Sequence, residues 1–192
     1  FSEDKIEQGR NFMNKLWNSA RFLLMNIGDG DLADFESLDY NNLDITDKWI
    51  LSCLNRTILK VNKDYDNYKM NDAVKDVYNF VYNDFCDWYL EFSKSRLYGT
   101  DEQDSRKNLT VSIHVLKTIL KLLHPCTPFI TEEIWSKIKT TDENNLITTS
   151  WPDVDNNSIN SDTELNVQII MDIIKKIRNI KLTLSISPAK PI

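Results

Sequence analysis

Arg10, Asn11, Asn14, Lys15, Asn18 and Arg21 fall on one arc of a wheel drawn at 100° per residue through residues 8–27, and Phe22 lies in the middle of that arc. Amide side chains both donate and accept hydrogen bonds, whereas guanidinium and ammonium groups donate and carry positive charge. The opposite arc holds Phe12, Leu16, Ala20, Leu23 and Ile27, with Met13, Trp17 and Leu24 beside them, and belongs to a core. A ring set among amides and cations, away from that core, needs an explanation. Segment 8–27 contains three basic residues and no acid in a chain of net charge −6. Phosphates are contacted by Lys and Arg, so an acidic chain of pI about 5.0 argues globally against nucleic acid. At physiological salt, however, charge acts over about 8 Å, and the basic face governs its own neighbourhood.

Other reactive residues support no catalysis. Asp84, Asp87, Glu91 and Lys94 repeat at helical spacing and could be read as acid/base machinery, but read more simply as a solvated or salt-bridged stripe. Cys53, Cys86 and Cys126 are odd in number, widely spaced and without a C-x-x-C pair; reduced thiols are expected, with neither a disulfide framework nor a zinc knuckle. His114 lies in an apolar helical run and His124 precedes Pro125 at a helix end, so both read as structural, and no metal site is expected. Glycine-rich phosphate loops, G-x-S-x-G and H-E-x-x-H are absent from the sequence. No catalytic or cofactor-binding residue is assigned.

The elements that position the basic face read as helices. With 4 Gly and 5 Pro in 192 residues there is little material for tight β turns, and 41% hydrophobic residues suffice for one good core. Ser2 with Glu3 and Asp4 opens a helix over about 3–27, ended by Gly28 and Gly30. Asp44 or Thr46 caps a second helix with Ile50, Leu51, Leu54, Ile58 and Val61 inward and a polar side toward solvent. A third, over about 70–98, is apolar round most of its circumference, Trp88 included, and is expected at the centre of a bundle. A fourth spans about 103–123, and Thr127 and Pro128 start a fifth reaching about residue 139. Residues 140–163 read as loop, with an extended strap pinned by Trp151 and Pro152. A sixth helix covers about 162–180 with a basic end of Lys175, Lys176, Arg178 and Lys181, a second cluster more simply read as surface. LTLSIS at 182–187 alternates like a strand, and since one strand is not stable alone, it is expected to begin a further unit. No apolar run spans a membrane and the first residues lack a secretory signal, so an intracellular protein is expected.

The residues also carry a resemblance. RNFMNKLWNSARFLL (10–24), DKWILSCLN (47–55), FCDWYLEFSK (85–94), LLHPCTPFITEEIW (122–135), SWP (150–152) and IRNIKLTLSISPAK (177–190) occur in this order, and together resemble the anticodon-binding region of class I valyl-tRNA synthetases. The isoleucyl enzymes are the nearest alternative. Nearly the whole chain is covered, leaving out mainly loops 28–43, 99–108 and 153–163. The family's His-Ile-Gly-His-type and Lys-Met-Ser-Lys-Ser-type ATP signatures, its editing domain and its C-terminal coiled coil are not in this sequence. The family commonly has Arg where Cys53 stands, so any role of that Arg does not transfer.

The resemblance implies an all-α helical bundle over residues 1–152, then a linker, a helix and the start of a small α/β extension over 153–192. It implies a parent enzyme that uses ATP and magnesium to charge tRNA(Val) with valine, in the cytoplasm or in an organelle, with this part inactive alone. The implied partners are the anticodon stem-loop of tRNA(Val) and the remaining domains of the synthetase, with no membrane and no DNA. Anticodon bases are read by stacking on aromatic rings and by hydrogen bonds to their edges. Phe22 then becomes a stacking candidate, Asn11, Asn14 and Asn18 candidates for base edges, and Arg10, Lys15 and Arg21 for phosphates or bases. Two readings stay open without the family: Phe22 packs on another helix or on further domains, and the amides and cations are a solvated face. In a non-catalytic helical interaction module, that face would meet a protein.

Overall fold

A computed structural model describes residues 2–27 and 34–187. Among these the regular structure is helical: α1 (Glu3–Leu24), α2 (Ile45–Asp66), α3 (Met70–Asn79), α4 (Leu90–Leu97), α5 (Glu102–Leu123), α6 (Pro128–Ile138) and α7 (Ser161–Thr183). Between α3 and α4, Phe80–Tyr89 is wound as a π-helix. Its bonds close on the fifth residue back, as Leu90 N–H to Phe85 C=O illustrates. The three pieces make one rod over 70–97, the third helix of the sequence reading. The expected all-α bundle is therefore found.

Caps explain most boundaries. Asp44 accepts from Thr46 N–H, Asp101 from Gln103 and Asp104 N–H, and Asn160 from Thr163 N–H, each satisfying donors that an open helix end leaves bare. Two expected caps differ. The Ser2 side chain caps nothing, and the Thr127 hydroxyl bonds back to the Leu123 carbonyl at 3.2 Å instead of serving α6. Gly28 and Gly30 lie outside the described residues.

α1 buries Phe12, Leu16, Ser19, Ala20 and Leu23, the arc the wheel assigns to the core, while Trp17 at its edge is 36% exposed. α2 departs from the expected solvated side: Asp47, Ser52, Asn55 and Thr57 are buried with its apolar face, because α3, α5 and α7 all pack around it. α5 is buried nearly all round from Asn108 to Leu123 and shares the centre with the rod. The strap behaves as read: Trp151 Nε1 donates to Asn62 Oδ1 at 2.7 Å, the Trp151 ring meets Tyr65 edge-on, and Leu146 is buried.

The expected strand at 182–187 is not there. Leu182 and Thr183 complete α7, and a turn with Ser185 at φ 53° follows, closed by Ile186 N–H on the Lys181 carbonyl at 2.8 Å. Alternation of Leu and Ile with Thr and Ser fits a strand only when a neighbour pairs with it, and among the described residues no strand is available. The first turns of α7 dock on α2 through buried Val167 and Met171 and through Arg56 Nε to Glu164 Oε1 at 2.6 Å.

Candidate nucleic-acid interface

α1 and the rod enclose an open groove of about 510 Å³. From α1 come Asn11, Asn14, Lys15, Asn18, Ser19 and Phe22; the facing wall is Cys86, Asp87, Leu90, Glu91 and Lys94. Five of the seven candidates thus share one site, whereas Arg10 and Arg21 do not line it. Arg10 sits exposed on the same helix, paired with Glu7 at 3.2 Å, and Arg21 is exposed near its end.

Phe22 does not point wholly away from the core as the wheel suggested. It is half-buried, packed against the core and edge-on to Tyr98, with centroids 6.4 Å apart and planes at 80°. Tyr98, just beyond α4, supplies the neighbour that a wheel of one helix cannot show. Phe22 nonetheless lines the groove, so the ring is held by its neighbours on one side and offered on the other.

The acid stripe closes this site. Lys15 Nζ lies 2.6 Å from Asp87 Oδ1 and 3.3 Å from the centroid of the Tyr82 ring, and Lys94 Nζ lies 2.5 Å from Glu91 Oε1. Both pairs are solvent-accessible, and exposed pairs of this kind are worth about 0–1 kcal/mol, so a phosphate can displace either carboxylate at small cost. The seam is fixed lower down by Ser19 Oγ and Cys86 Sγ, 3.1 Å apart. The rod's lining residues escaped the sequence reading because nothing in the α1 pattern says which helix faces it; the two aligned acids, Asp87 and Glu91, were the available signal.

Nothing in the groove is armed for chemistry. Burial pushes the Cys86 thiol up, although Ser19 and Lys15 oppose it, and burial beside Asp84 and Glu164 pushes Cys53 further still. Both stay protonated and unreactive near neutral pH. Burial, with Lys121 and Lys117 nearby, lowers His114 to about 4, and its ring stacks on Phe35 at 3.5 Å. His124 Nδ1 pairs with Thr131 Oγ1 at 2.8 Å. Among the described residues no group of three His, Cys, Asp or Glu could hold a metal ion, and no helix is long and apolar enough to cross a membrane. The groove offers amides, two cations with replaceable counter-charges and one ring edge, a surface for binding polar, anionic and flat groups.

Comparison with known proteins bears on that surface. Valine--tRNA ligase of Latilactobacillus sakei is 40% identical over 195 residues, spanning 100% of this chain and 22% of the relative. The Fusobacterium nucleatum protein of the same name is 42% identical over 197 residues, and the Clostridium tetani one 38% over 191, with 22% and 21% of their lengths covered. The chain therefore spans about a fifth of the curated relatives it matches, and α1 lies within the similarity. A ternary LeuRS-tRNA-LeuAMS complex from Agrobacterium radiobacter K84 contains a chain that matches 83% of this one, and 18% of itself, with a TM-score of 0.58 at 16% identity, a likeness of fold. Residues 47–192 match the family described as the anticodon-binding domain of tRNA ligase. With that match over most of its length, full-length similarity to valine--tRNA ligases and a synthetase-like helical bundle, the chain belongs to the anticodon-binding domain family of tRNA ligases.

Proposed function

We propose that this chain recognises the anticodon stem-loop of tRNA(Val) as the RNA-binding part of a valine-tRNA ligase. The carrying observation is the groove between α1 and the rod, which gathers Asn11, Asn14 and Asn18 beside the edge of Phe22 and within reach of Lys15 and Lys94. A splayed anticodon base stacks on the ring, worth on the order of 1–3 kcal/mol, while the amides bond its edge. Lys15 exchanges Asp87 for a phosphate, and Arg10 and Arg21 take phosphates outside the groove. The parent enzyme, with its remaining domains, activates valine with ATP and magnesium and works in the cytoplasm. This chain contributes binding without chemistry.

Binding of residues 1–192 to tRNA(Val) transcript and to a transcript with altered anticodon bases tests the reading, by fluorescence anisotropy at low salt. The expected result is tighter binding of the native anticodon. Equal affinity for the two, or no binding of either, overturns it.

A further inference from the structure

The second basic cluster is not absorbed by the groove. Residues 172–181 of α7 carry Lys175, Lys176, Arg178 and Lys181 against a single acid, Asp172, in a chain that is acidic overall. Lys175, Lys176 and Arg178 are exposed. Asp172 lies 3.7 Å from Lys175, and neither Lys176 nor Arg178 has a carboxylate partner among the described residues. A long cation with no counter-charge ordinarily loses its position to side-chain entropy. Here it does not: Lys175 Nζ and Arg178 Cζ each lie 5.5 Å from the centroid of the same Trp88 ring.

Trp88 is the link to the groove. It is half-buried against Phe92, with centroids 5.7 Å apart, and its neighbours in the rod, Asp87 and Glu91, stand in the groove wall. One side of the rod therefore meets the RNA-binding groove and the adjoining side carries the pinned cations, about one helix diameter, ~10–12 Å, away. A nucleic acid strand entering or leaving the groove carries its charges across that span.

We propose that the cations of α7, held in place by Trp88, contact backbone phosphates of the RNA whose loop occupies the groove. The inference rests on the groove reading above and adds to it a surface blind to sequence. Lys176 and Arg178 contact phosphates, and Trp88 is a positioning residue that holds Lys175 and Arg178 ready for them. Binding through α7 adds affinity for any RNA of this shape and leaves discrimination to the groove.

The test is the salt dependence of binding to the tRNA(Val) transcript and to its anticodon-altered version, for the wild-type chain, the double variant K176Q/R178Q, W88L and W88F. Each phosphate contact contributes about 0.7–0.9 to the slope of log K against log salt. K176Q/R178Q is expected to reduce that slope by about 1.4–1.8 for both RNAs, with their affinity ratio unchanged. W88L is expected to reduce it by a smaller amount and W88F to restore it, which a purely structural role for the ring would not do; circular dichroism checks that each variant folds. An unchanged slope in K176Q/R178Q, with anticodon preference intact in the wild type, overturns the α7 surface alone. A reduced slope with no anticodon preference in any protein supports the α7 surface and overturns the groove reading. No tRNA binding at low salt overturns both. Binding to anionic phospholipid vesicles that K176Q/R178Q abolishes, with the tRNA slope intact, overturns the inference in favour of a lipid surface.

Discussion

Arg96 Nη1 lies 2.7 Å from Asp47 Oδ2, while Nε and Nη2 of the same guanidinium hold the two oxygens of Asp104 at 2.8 and 2.6 Å. One side chain of α4 so ties α2 to α5. Tyr89 OH donates to Asp47 Oδ1 at 2.7 Å and Asn108 Nδ2 at 2.9 Å, and Asp47 has no exposed surface. Burial raises the Asp47 carboxyl, against the pull of Arg96. Burial would lower Arg96, but the Asp104 and Asp47 carboxylates outweigh it and raise the guanidinium.

Removing one member of a buried charge pair strands the other. Asp47→Ala is expected to cost about 3–5 kcal/mol in urea unfolding. Asp104→Ala, at the exposed end, should cost about 1–2 kcal/mol, since Arg96 keeps Asp47. Equal losses from the two would contradict the ranking by burial.

His114 is predicted to make the fold acid-sensitive. Its folded pKa, about 4, lies below the usual 6.5, so between these values the unfolded chain binds a proton that the folded one refuses. The stability it contributes is complete above pH 6.5 and declines as pH falls toward 4. Urea midpoints of wild type and His114→Gln should run parallel above pH 7 and converge, or cross, in that window.

Asp84 carries the opposite sign. Burial, aided by Glu164 and opposed by Lys60, raises its folded pKa to about 6, so stability falls as pH rises from about 4 to 6 and stays reduced above. Asp84→Asn should raise the melting temperature at pH 7.5, and the gain should vanish below pH 4. A gain that persists at pH 3.5 would mean that packing and not charge was relieved.

Phe22→Ala is expected to act twice. Binding of tRNA(Val) should weaken by about 1–3 kcal/mol through the lost stack. Because the ring also packs on Tyr98 and the core, stability should fall too, by less than the 3–5 kcal/mol typical of a fully buried Phe. Asn14→Ala separates the effects: its side chain is exposed, so unfolding should move by no more than about 0.5 kcal/mol while binding weakens. Binding unaffected by Asn14→Ala, Asn18→Ala and Phe22→Ala alike would move recognition elsewhere.

What the sequence reveals here is what is local. Asp44 marks the start of α2 because an aspartate side chain reaches the amide two residues on, whatever lies around it. The core arc of α1 is legible because burial of one face writes a 3.6-residue period. Non-local facts are not written that way. Asp47 reads as an ordinary first-turn acid until α4 and α5 close over it. Trp88 counts as one more apolar residue on a wheel, yet it is half-buried under α7. LTLSIS alternates, but alternation is a promise of pairing that only a neighbour can keep. In the candidate site, the α1 wall was legible as composition, and the rod wall was not, since Asp87 and Glu91 look the same whether they face water or Lys15.

The π-helical winding of Phe80–Tyr89 carries a further consequence. A wheel drawn at a constant 100° loses phase across it, and every residue after it is turned relative to those before. Asp87, Trp88 and Glu91 owe their present bearings to that slip. Deleting a single residue within 80–89 would restore an ordinary α winding and change no helix propensity worth noting, yet it would swing Trp88 and the groove wall out of alignment together. The stretch is a hinge in sequence space: a length change of one residue there re-aims two surfaces at once, and the bundle tolerates substitution along it far more readily than insertion or loss.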